Sequence, residues 1–174
     1  MPTSLEPLPW RLFLGLWPTS ETRDQVARHA DAWQWPAAAR RTTAERLHIT
    51  LHFLGNVAAA RVPALTQGLS FDWPGCTLEL DRAEVWPGGI AVLEASRVSP
   101  ELAQLQARLG AALAELGVPV ETRRFRPHVT LARKGQGARV PEVAAIRWET
   151  GKRYALVRSL PGGYVPVHEF MASP

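Results

Sequence analysis

Two histidines, His48 and His128, lie in two copies of the same short motif. Residues 46–51 read RLHITL and residues 126–131 read RPHVTL. An imidazole with a pKa near 6.5 accepts a proton when it is neutral and donates one when it is charged. Phosphodiester cleavage needs one group of each kind, because a base deprotonates the attacking oxygen and an acid protonates the departing one. The pair therefore indicates phosphodiester chemistry, provided that both imidazoles reach one ligand.

The polar residues of each copy are expected to share one face of a β-strand. Alternate side chains of a strand point to opposite faces, so His48 and Thr50 lie together, as do His128 and Thr130. The threonine hydroxyls can donate to the non-bridging oxygens of a phosphate. A helix is expected to cover the opposite, apolar face of the first copy. That face is predicted to carry Leu47, Ile49, Leu51 and Phe53. Two such strands would form a groove between two similar lobes.

Two further features of the repeat allow more than one interpretation. His52 extends the first copy to His-x-Thr-x-His and is expected to share the face of His48, which could be read as a pair of metal ligands. Residues four apart on a strand lie about 13 Å apart, which is too far for one metal ion, so we predict no metal site and no cofactor. Arg46 and Arg126 precede their histidines by two residues, where each either contacts a phosphate or is solvated.

The composition is that of a folded protein with an excess of arginine. The 174 residues are 46% hydrophobic and 21% charged, which leaves room for one domain that needs no disulfide. Only Lys134 and Lys152 among the 20 basic residues are lysines, and arginine binds phosphate oxygens more specifically. No acid interrupts the basic residues between Glu121 and Glu142, which form either a solvated face or the surface that an anionic substrate meets. Those residues are Arg123, Arg124, Arg126, Arg133, Lys134 and Arg139.

The single cysteine, Cys76, excludes an internal disulfide framework and suits a reducing cytoplasm. No run of the sequence approaches the 18 apolar residues that a membrane helix needs. We therefore expect a soluble cytoplasmic protein.

The chain is predicted to fold in the order β-α-β-α-β-β-α-β-β-β. The expected strands are residues 11–17, 47–54, 76–85, 90–95, 128–133, 153–160 and 163–170. The first helix is expected to begin at a Thr19 or Ser20 cap, the second to end near Leu69, and the third to run from a Ser99 cap to Gly117. This order favours an α+β fold with mostly antiparallel sheets.

Residues 48–55 (HITLHFLG) and 127–133 (PHVTLAR) resemble the motifs of the two-histidine (2H) phosphoesterases. Within that superfamily the chain is similar to the bacterial and archaeal RNA 2′,3′-cyclic phosphodiesterases, also called 2′-5′ RNA ligases, over essentially its whole length. The resemblance implies one bilobal domain over residues 1–174, with a pseudo-twofold α+β fold, two mainly antiparallel sheets flanked by helices, and the active site in the central groove.

The resemblance also implies a reaction and a role for each site residue. A terminal 2′,3′-cyclic phosphate is opened to a 2′-phosphomonoester, and some members join it to a 5′-hydroxyl as a 2′-5′ linkage. His48 corresponds to the general acid that protonates the 3′ oxygen and His128 to the base that activates water, although the pseudo-symmetry leaves the reverse open. Thr50 and Thr130 hold the phosphate. Arg133 matches the arginine after the second motif and contacts the phosphate or the terminal nucleotide.

The expected enzyme is a monomer that needs no metal and acts on RNA ends or nucleotides carrying a 2′,3′-cyclic phosphate. Two alternatives remain open at this point. The same site could act on small cyclic nucleotides, an ADP-ribose cyclic phosphate or 2′-5′ oligonucleotides. Alternatively, the chain could be a noncatalytic module that binds RNA ends, which would show salt-sensitive binding without product.

Overall fold

The computed structural model describes residues 7–142 and 144–172, in which ten strands and three helices form. The strands are β1 (Trp10–Leu16), β2 (Arg40–Arg41), β3 (Ile49–Val57), β4 (Thr77–Leu80), β5 (Arg82–Trp86), β6 (Ile90–Glu94), β7 (His128–Arg133), β8 (Ile146–Glu149), β9 (Arg153–Leu160) and β10 (Gly163–Met171). The helices are α1 (Ser20–Asp31), α2 (Val62–Gly68) and α3 (Pro100–Glu115), and short 3-10 turns occupy Ala44–Arg46 and Ala59–Arg61.

Two antiparallel sheets organise these strands. The large sheet has the order β10-β9-β1-β3-β7-β6-β5, with β2 paired to β7 as well, and the small sheet consists of β4 and β8. The predicted α+β class with mainly antiparallel sheets is confirmed. The two strands that carry the repeated motif, β3 and β7, are neighbours at the middle of the large sheet.

The two halves of the large sheet are built in the same register around the β3–β7 boundary. Ile49 of β3 pairs with Val129 of β7, and each follows the histidine of its motif. On the outer side of each motif strand, Gly15 of β1 pairs with Thr50, and β6 pairs with Thr130 in the equivalent way. The repeat in the sequence is therefore also a repeat in the strand pairing.

The helices cover the apolar face of the motif strands, as predicted. Leu47, Ile49 and Leu51 are buried in one core together with leucines of α3. The leucines in question are Leu102, Leu105, Leu109 and Leu113. Ser99 caps α3 by accepting a hydrogen bond from the Leu102 backbone N–H, at 3.2 Å from N to Oγ. This packing leaves the opposite face of β3 and β7 free to form a groove.

A β-bulge in each motif strand reverses the alternation of side chains. The pairing of β3 with β1 skips Leu51, and the pairing of β7 with β6 skips the equivalent Leu131. After the bulge, His52 turns towards the core and is 6% exposed, whereas Phe53 turns outwards and is 51% exposed. The predictions that His52 shares the face of His48 and that Phe53 lies on the covered face are therefore wrong, because they assumed an unbroken strand.

Three other predictions of local structure are wrong. The expected strand 76–85 is two strands, because at Asp81 the chain leaves the small sheet and enters the large one, and the Asp81 carboxylate accepts a hydrogen bond from the Ser96 backbone N–H. The strand predicted to end at Leu54 continues to Val57, since Gly55 adopts a φ of 71° beside a second register shift and pairing resumes there. The short strands β2 and β8 were not predicted at all.

Among the described residues, no helix is long and apolar enough to cross a membrane.

Candidate active site

A groove of about 710 Å³ crosses the boundary between β3 and β7. Its lining includes all of the residues that the sequence predicted for the site: His48, Thr50, His128, Thr130 and Arg133. Two motifs that lie 80 residues apart in the chain thus meet at one cavity.

Both histidine rings are held by the same backbone contact. Nδ1 of His48 lies 2.6 Å from the carbonyl oxygen of Arg46, and Nδ1 of His128 lies 2.6 Å from that of Arg126. Because a carbonyl oxygen can only accept, each Nδ1 carries a proton and donates it. The neutral form of each ring therefore has its free electron pair on Nε2, which is the nitrogen left for a ligand.

Aromatic rings enclose His48. Its ring stacks on Trp17, with 4.9 Å between centroids and 16° between planes, and lies 4.9 Å from Phe13. Tyr164 meets it edge-on, with centroids 5.3 Å apart. Burial by this cluster lowers the pKa of His48 to about 4, an effect that the bond to the Arg46 carbonyl opposes and the nearby His128 reinforces. His48 is consequently neutral at pH 7 in the free protein.

A glycine under the ring makes this enclosure possible. A Cβ added to Gly15 would lie 2.9 Å from Cζ3 of Trp17 and 3.3 Å from Cδ2 of His48. The absence of a side chain at Gly15 therefore lets the Trp17 and His48 rings pack against β1.

His128 has a different neighbourhood on the same backbone scaffold. Trp86 lies 4.5 Å from its ring, and Glu94 of the adjacent strand β6 pairs opposite it. Burial lowers the pKa of His128, whereas the Arg126 carbonyl and the Glu94 carboxylate raise it and the Arg126 charge lowers it. The Glu94 carboxylate thus stabilises the charged form of His128. The aromatic cluster around His48 provides no such negative charge.

The two motif arginines differ in charge compensation. Arg126 forms a two-pronged ion pair with the buried Glu94, at 3.0 Å and 2.6 Å, and also lies 3.7 Å from Glu84. Arg46 lies over the ring of Tyr164 at 5.1 Å, and within residues 7–142 and 144–172 no carboxylate is close enough to form an ion pair with it. Of the two, Arg46 is the one whose charge is available to an anion in the groove.

The threonines line the groove beside the histidines. Oγ1 of Thr50 lies 3.0 Å from Nε2 of His48, so the hydroxyl donates to the neutral ring. Thr130 occupies the same position of the second motif and is half-buried. The hydroxyls of Thr50 and Thr130 thus provide donors in the groove for the oxygens of a bound phosphate.

Arg133 reaches the groove because of the bulge at Leu131. On an unbroken strand the side chain of residue 133 would share the covered face with Leu131, which is 1% exposed. The bulge buries Ala132 instead and leaves Arg133 exposed and lining the groove. The sequence located Arg133 through its resemblance to a family, and the bulge is the physical reason for its position.

Arginines from several parts of the chain surround the groove. Four members of the predicted basic stretch line it, together with two from elsewhere. The six are Arg11, Arg46, Arg123, Arg124, Arg126 and Arg133. Lys134 and Arg139 are not among the lining residues. The basic stretch therefore lines the groove as far as Arg133, whereas its last two basic residues do not line it.

His52 donates its Nε2–H to the carbonyl oxygen of Gln106 in α3, at 2.8 Å. In the described parts of the chain, no group of three or more His, Cys, Asp and Glu residues is placed to hold a metal ion.

Sequence reasoning missed several residues that shape the site. Phe13, Trp17 and Tyr164 surround His48, and Glu94 supports His128. One feature of the repeat could have placed Phe53 at the site. Phe53 follows His48 by five residues, just as Arg133, a predicted site residue, follows His128.

The family model of the 2′-5′ RNA ligase superfamily matches residues 22–156. An RNA 2′,3′-cyclic phosphodiesterase of Escherichia coli (strain K12) is 34% identical over 142 residues, which cover 80% of this chain and 81% of that protein.

Solved structures share the fold over nearly the whole chain. The structure of E. coli LigT complexed with 3′-AMP has a TM-score of 0.84 and 29% identity, and the match covers 95% of this chain and 99% of that one. The structure of the Thermus thermophilus protein TT0787 has a TM-score of 0.74 and 25% identity, with 92% and 97% covered.

Proposed function

The chain belongs to the 2′-5′ RNA ligase superfamily, and we propose that it opens the 2′,3′-cyclic phosphate at the end of an RNA to a 2′-phosphomonoester. The relative that is 34% identical is named an RNA 2′,3′-cyclic phosphodiesterase, which supports hydrolase activity on this bond. The finer parts of the proposal concern which residues do the chemistry and in what order.

One observation carries the proposal. His48 and His128 line one groove, and equal hydrogen bonds from Nδ1 to the carbonyls of Arg46 and Arg126 leave Nε2 of both rings without a backbone partner. Nε2 of His48 accepts a hydrogen bond from the Thr50 hydroxyl, which a bound phosphate can replace. Two imidazole nitrogens at one cavity lined by arginines suit the acid and base that an in-line displacement at phosphorus requires.

The reaction divides between the two histidines. His128 takes a proton from water as the new oxygen–phosphorus bond forms, and His48 gives a proton to the 3′ oxygen as the bond from phosphorus to that oxygen breaks. The product keeps its phosphate on the 2′ oxygen and has a free 3′-hydroxyl. Thr50 and Thr130 donate to the non-bridging oxygens, and Arg133 offsets the negative charge.

The low pKa of His48 constrains its role as the acid. With a pKa of about 4 in the free protein, His48 must gain its proton when the substrate binds. An anionic phosphate beside Nε2 favours the charged ring and raises that pKa. The substrate thus produces the protonated acid that its own cleavage needs.

The same displacement with a 5′-hydroxyl in place of water joins the 2′,3′-cyclic phosphate to a second strand as a 2′-5′ linkage. His128 then takes the proton from the 5′-hydroxyl as the new oxygen–phosphorus bond forms, and His48 again gives one to the 3′ oxygen as the bond to phosphorus breaks. We also propose that the protein is a cytoplasmic monomer that acts without a metal ion. Size-exclusion chromatography with light scattering tests the monomeric state, and assays in EDTA test whether a metal ion is needed.

The test is product analysis with an RNA oligonucleotide that ends in a 2′,3′-cyclic phosphate, incubated with the protein in EDTA. The expected product carries a 2′-phosphate, and a second strand with a 5′-hydroxyl tests for the joined product. Binding without turnover contradicts the enzyme proposal. Turnover of cyclic mononucleotides or ADP-ribose cyclic phosphate but not of the oligonucleotide contradicts the proposed substrate.

A further inference from the structure

Arg46 and Arg126 occupy equivalent positions of the two motifs and are held in the same way. The guanidinium carbon of Arg46 lies 5.1 Å from the centroid of the Tyr164 ring. The guanidinium carbon of Arg126 lies 4.5 Å from that of a Trp86 ring. Each of these aromatic side chains also contacts the histidine of its own motif. Both halves of the groove therefore present an arginine, an aromatic ring and an imidazole in the same order.

The two arginines differ in the negative charges around them. The Glu94 carboxylate forms a two-pronged ion pair with Arg126, and Glu84 lies 3.7 Å from the same guanidinium. In the part of the chain that the structure describes, no carboxylate lies within ion-pair distance of Arg46, which is half-buried. A partly buried cation without a counter-ion lacks the compensation that a bound anion would supply.

The uncompensated arginine lies on the side of the groove where the proposed reaction holds the ribose. In that reaction His48 protonates the 3′ oxygen of the terminal nucleoside, whereas water enters beside His128. Tyr164 contacts both the His48 ring and the Arg46 guanidinium, so Arg46 belongs to the nucleoside side. The phosphodiester on the 5′ oxygen of that nucleoside is the next anion of an RNA strand. Water brings no charge to the other side, where Arg126 is already neutralised.

We propose that Arg46 binds the phosphodiester that joins the terminal nucleotide to the preceding one, and so makes the enzyme prefer an RNA strand to a cyclic mononucleotide. This proposal rests on the proposed function. Arg46 precedes His48 by two residues, a span of at most about 7 Å of chain. That reach suits two successive phosphates, which are separated by a single ribose. The planar fork of a guanidinium also matches the two non-bridging oxygens of a phosphodiester.

The experiment compares two dinucleotides that differ only at the linkage. Both end in a 2′,3′-cyclic phosphate, but one is joined by a phosphodiester and the other by an uncharged methylphosphonate. The wild-type protein should have a kcat/KM about tenfold or more higher for the phosphodiester compound, the effect of one charged hydrogen bond. Arg46→Ala should abolish this preference by slowing the phosphodiester compound alone, with the methylphosphonate compound within about twofold of wild type.

Three further variants separate charge from packing. Arg46→Lys keeps the charge and should retain part of the preference, because the planar fork is lost. Arg46→Gln keeps a polar side chain beside Tyr164 without the charge, and should behave like Arg46→Ala. Arg139→Ala removes the same charge outside the groove and should keep the full preference. None of the substitutions at position 46 removes the backbone carbonyl that holds His48.

Equal losses on both dinucleotides, or a shifted pH profile with the methylphosphonate compound, would mean that Arg46 acts on the cyclic phosphate or through the packing of Tyr164 and His48. Either result overturns the proposal. A preference that survives in Arg46→Ala, one that is lost in Arg139→Ala, or a wild-type protein without any preference overturns it as well. Failure of the wild-type protein to open the cyclic phosphate of either dinucleotide contradicts the proposed function instead, so the two failures are distinguishable.

Discussion

Ile49 and Val129 pair across the boundary between β3 and β7, and each directly follows the histidine of its motif. The local twofold axis that relates the two halves of the large sheet therefore passes between these two residues. Their apolar side chains belong to the core, so the histidines before them and the threonines after them project from the other face of the sheet. One strand pairing thus brings both halves of the site to one groove.

Binding of phosphate should raise the pKa of His48 from about 4. An anion beside Nε2 favours the charged ring, and such a charge shifts a pKa by about one to three units. By linkage, phosphate should bind more tightly as the pH falls below neutrality. NMR titration of the histidine ring signals with and without inorganic phosphate measures both effects. The exposed His168 is the internal control, and an unchanged His48 pKa in saturating phosphate would contradict the phosphate-binding site.

Glu94→Gln should lower the pKa of His128 further, because the Glu94 carboxylate supports the charged ring. It should also reduce the free energy of unfolding by about 1–3 kcal/mol, since the buried partner of Arg126 is lost. Glu84→Gln is the matched control, because Glu84 lies farther from Arg126 and is 45% exposed. The measurements are the NMR titration of His128 and urea denaturation, and equal effects of the two substitutions would argue against a special role for Glu94.

Gly15→Ala should impair catalysis by displacing the rings of Trp17 and His48. The added methyl would stand 2.9 Å from Trp17 and 3.3 Å from His48, and relief of that overlap costs about 1–3 kcal/mol. We expect kcat to fall by about tenfold or more, since misplacement of a catalytic group by 1 Å costs about 100-fold. Gly162→Ala introduces the same methyl where nothing lies within 4 Å. Full activity of both variants would show that the enclosure of His48 does not matter.

Arg133→Ala should lower kcat/KM by about 10- to 100-fold, the effect of losing a charged hydrogen bond to an anion. Arg133→Lys should restore part of the activity, because the charge returns without the planar fork. Steady-state kinetics on a cyclic-phosphate oligonucleotide provides the measurement. Arg139→Ala serves as control, since Arg139 belongs to the same basic stretch but does not line the groove.

The strand bulges set the first limit of sequence-based prediction here. Period-two alternation assigned His48 and Thr50 to one face and Leu47, Ile49 and Leu51 to the other, and the structure agrees up to the bulges. An inserted residue in a strand has no local signature, so the reversal at Leu51 could not be predicted from propensity. The reversal moved His52 into the core and Phe53 into the groove.

The sequence also could not predict side-chain contacts between segments that are distant in the chain. The pairing of Glu94 with Arg126 depends on which strands become neighbours. So do the stacking of Trp17 on His48 and the edge-on contact of Tyr164 with the same ring. The strand order places β1 and β9 on one side of the motif pair and β6 on the other, which no local pattern specifies. The repeat predicted that two histidines would meet, but it did not predict what surrounds each of them.

The central claim is that His48 and His128 act together on one phosphorus atom, and single-turnover hydrolysis by their alanine variants tests it most directly. The substrate is an oligonucleotide with a 2′,3′-cyclic phosphate end, and circular dichroism verifies that each variant is folded. His48→Ala and His128→Ala should each slow cleavage by about 10²–10⁴-fold, while His168→Ala cleaves at the wild-type rate. Near-normal cleavage by either folded variant of the pair would contradict the account.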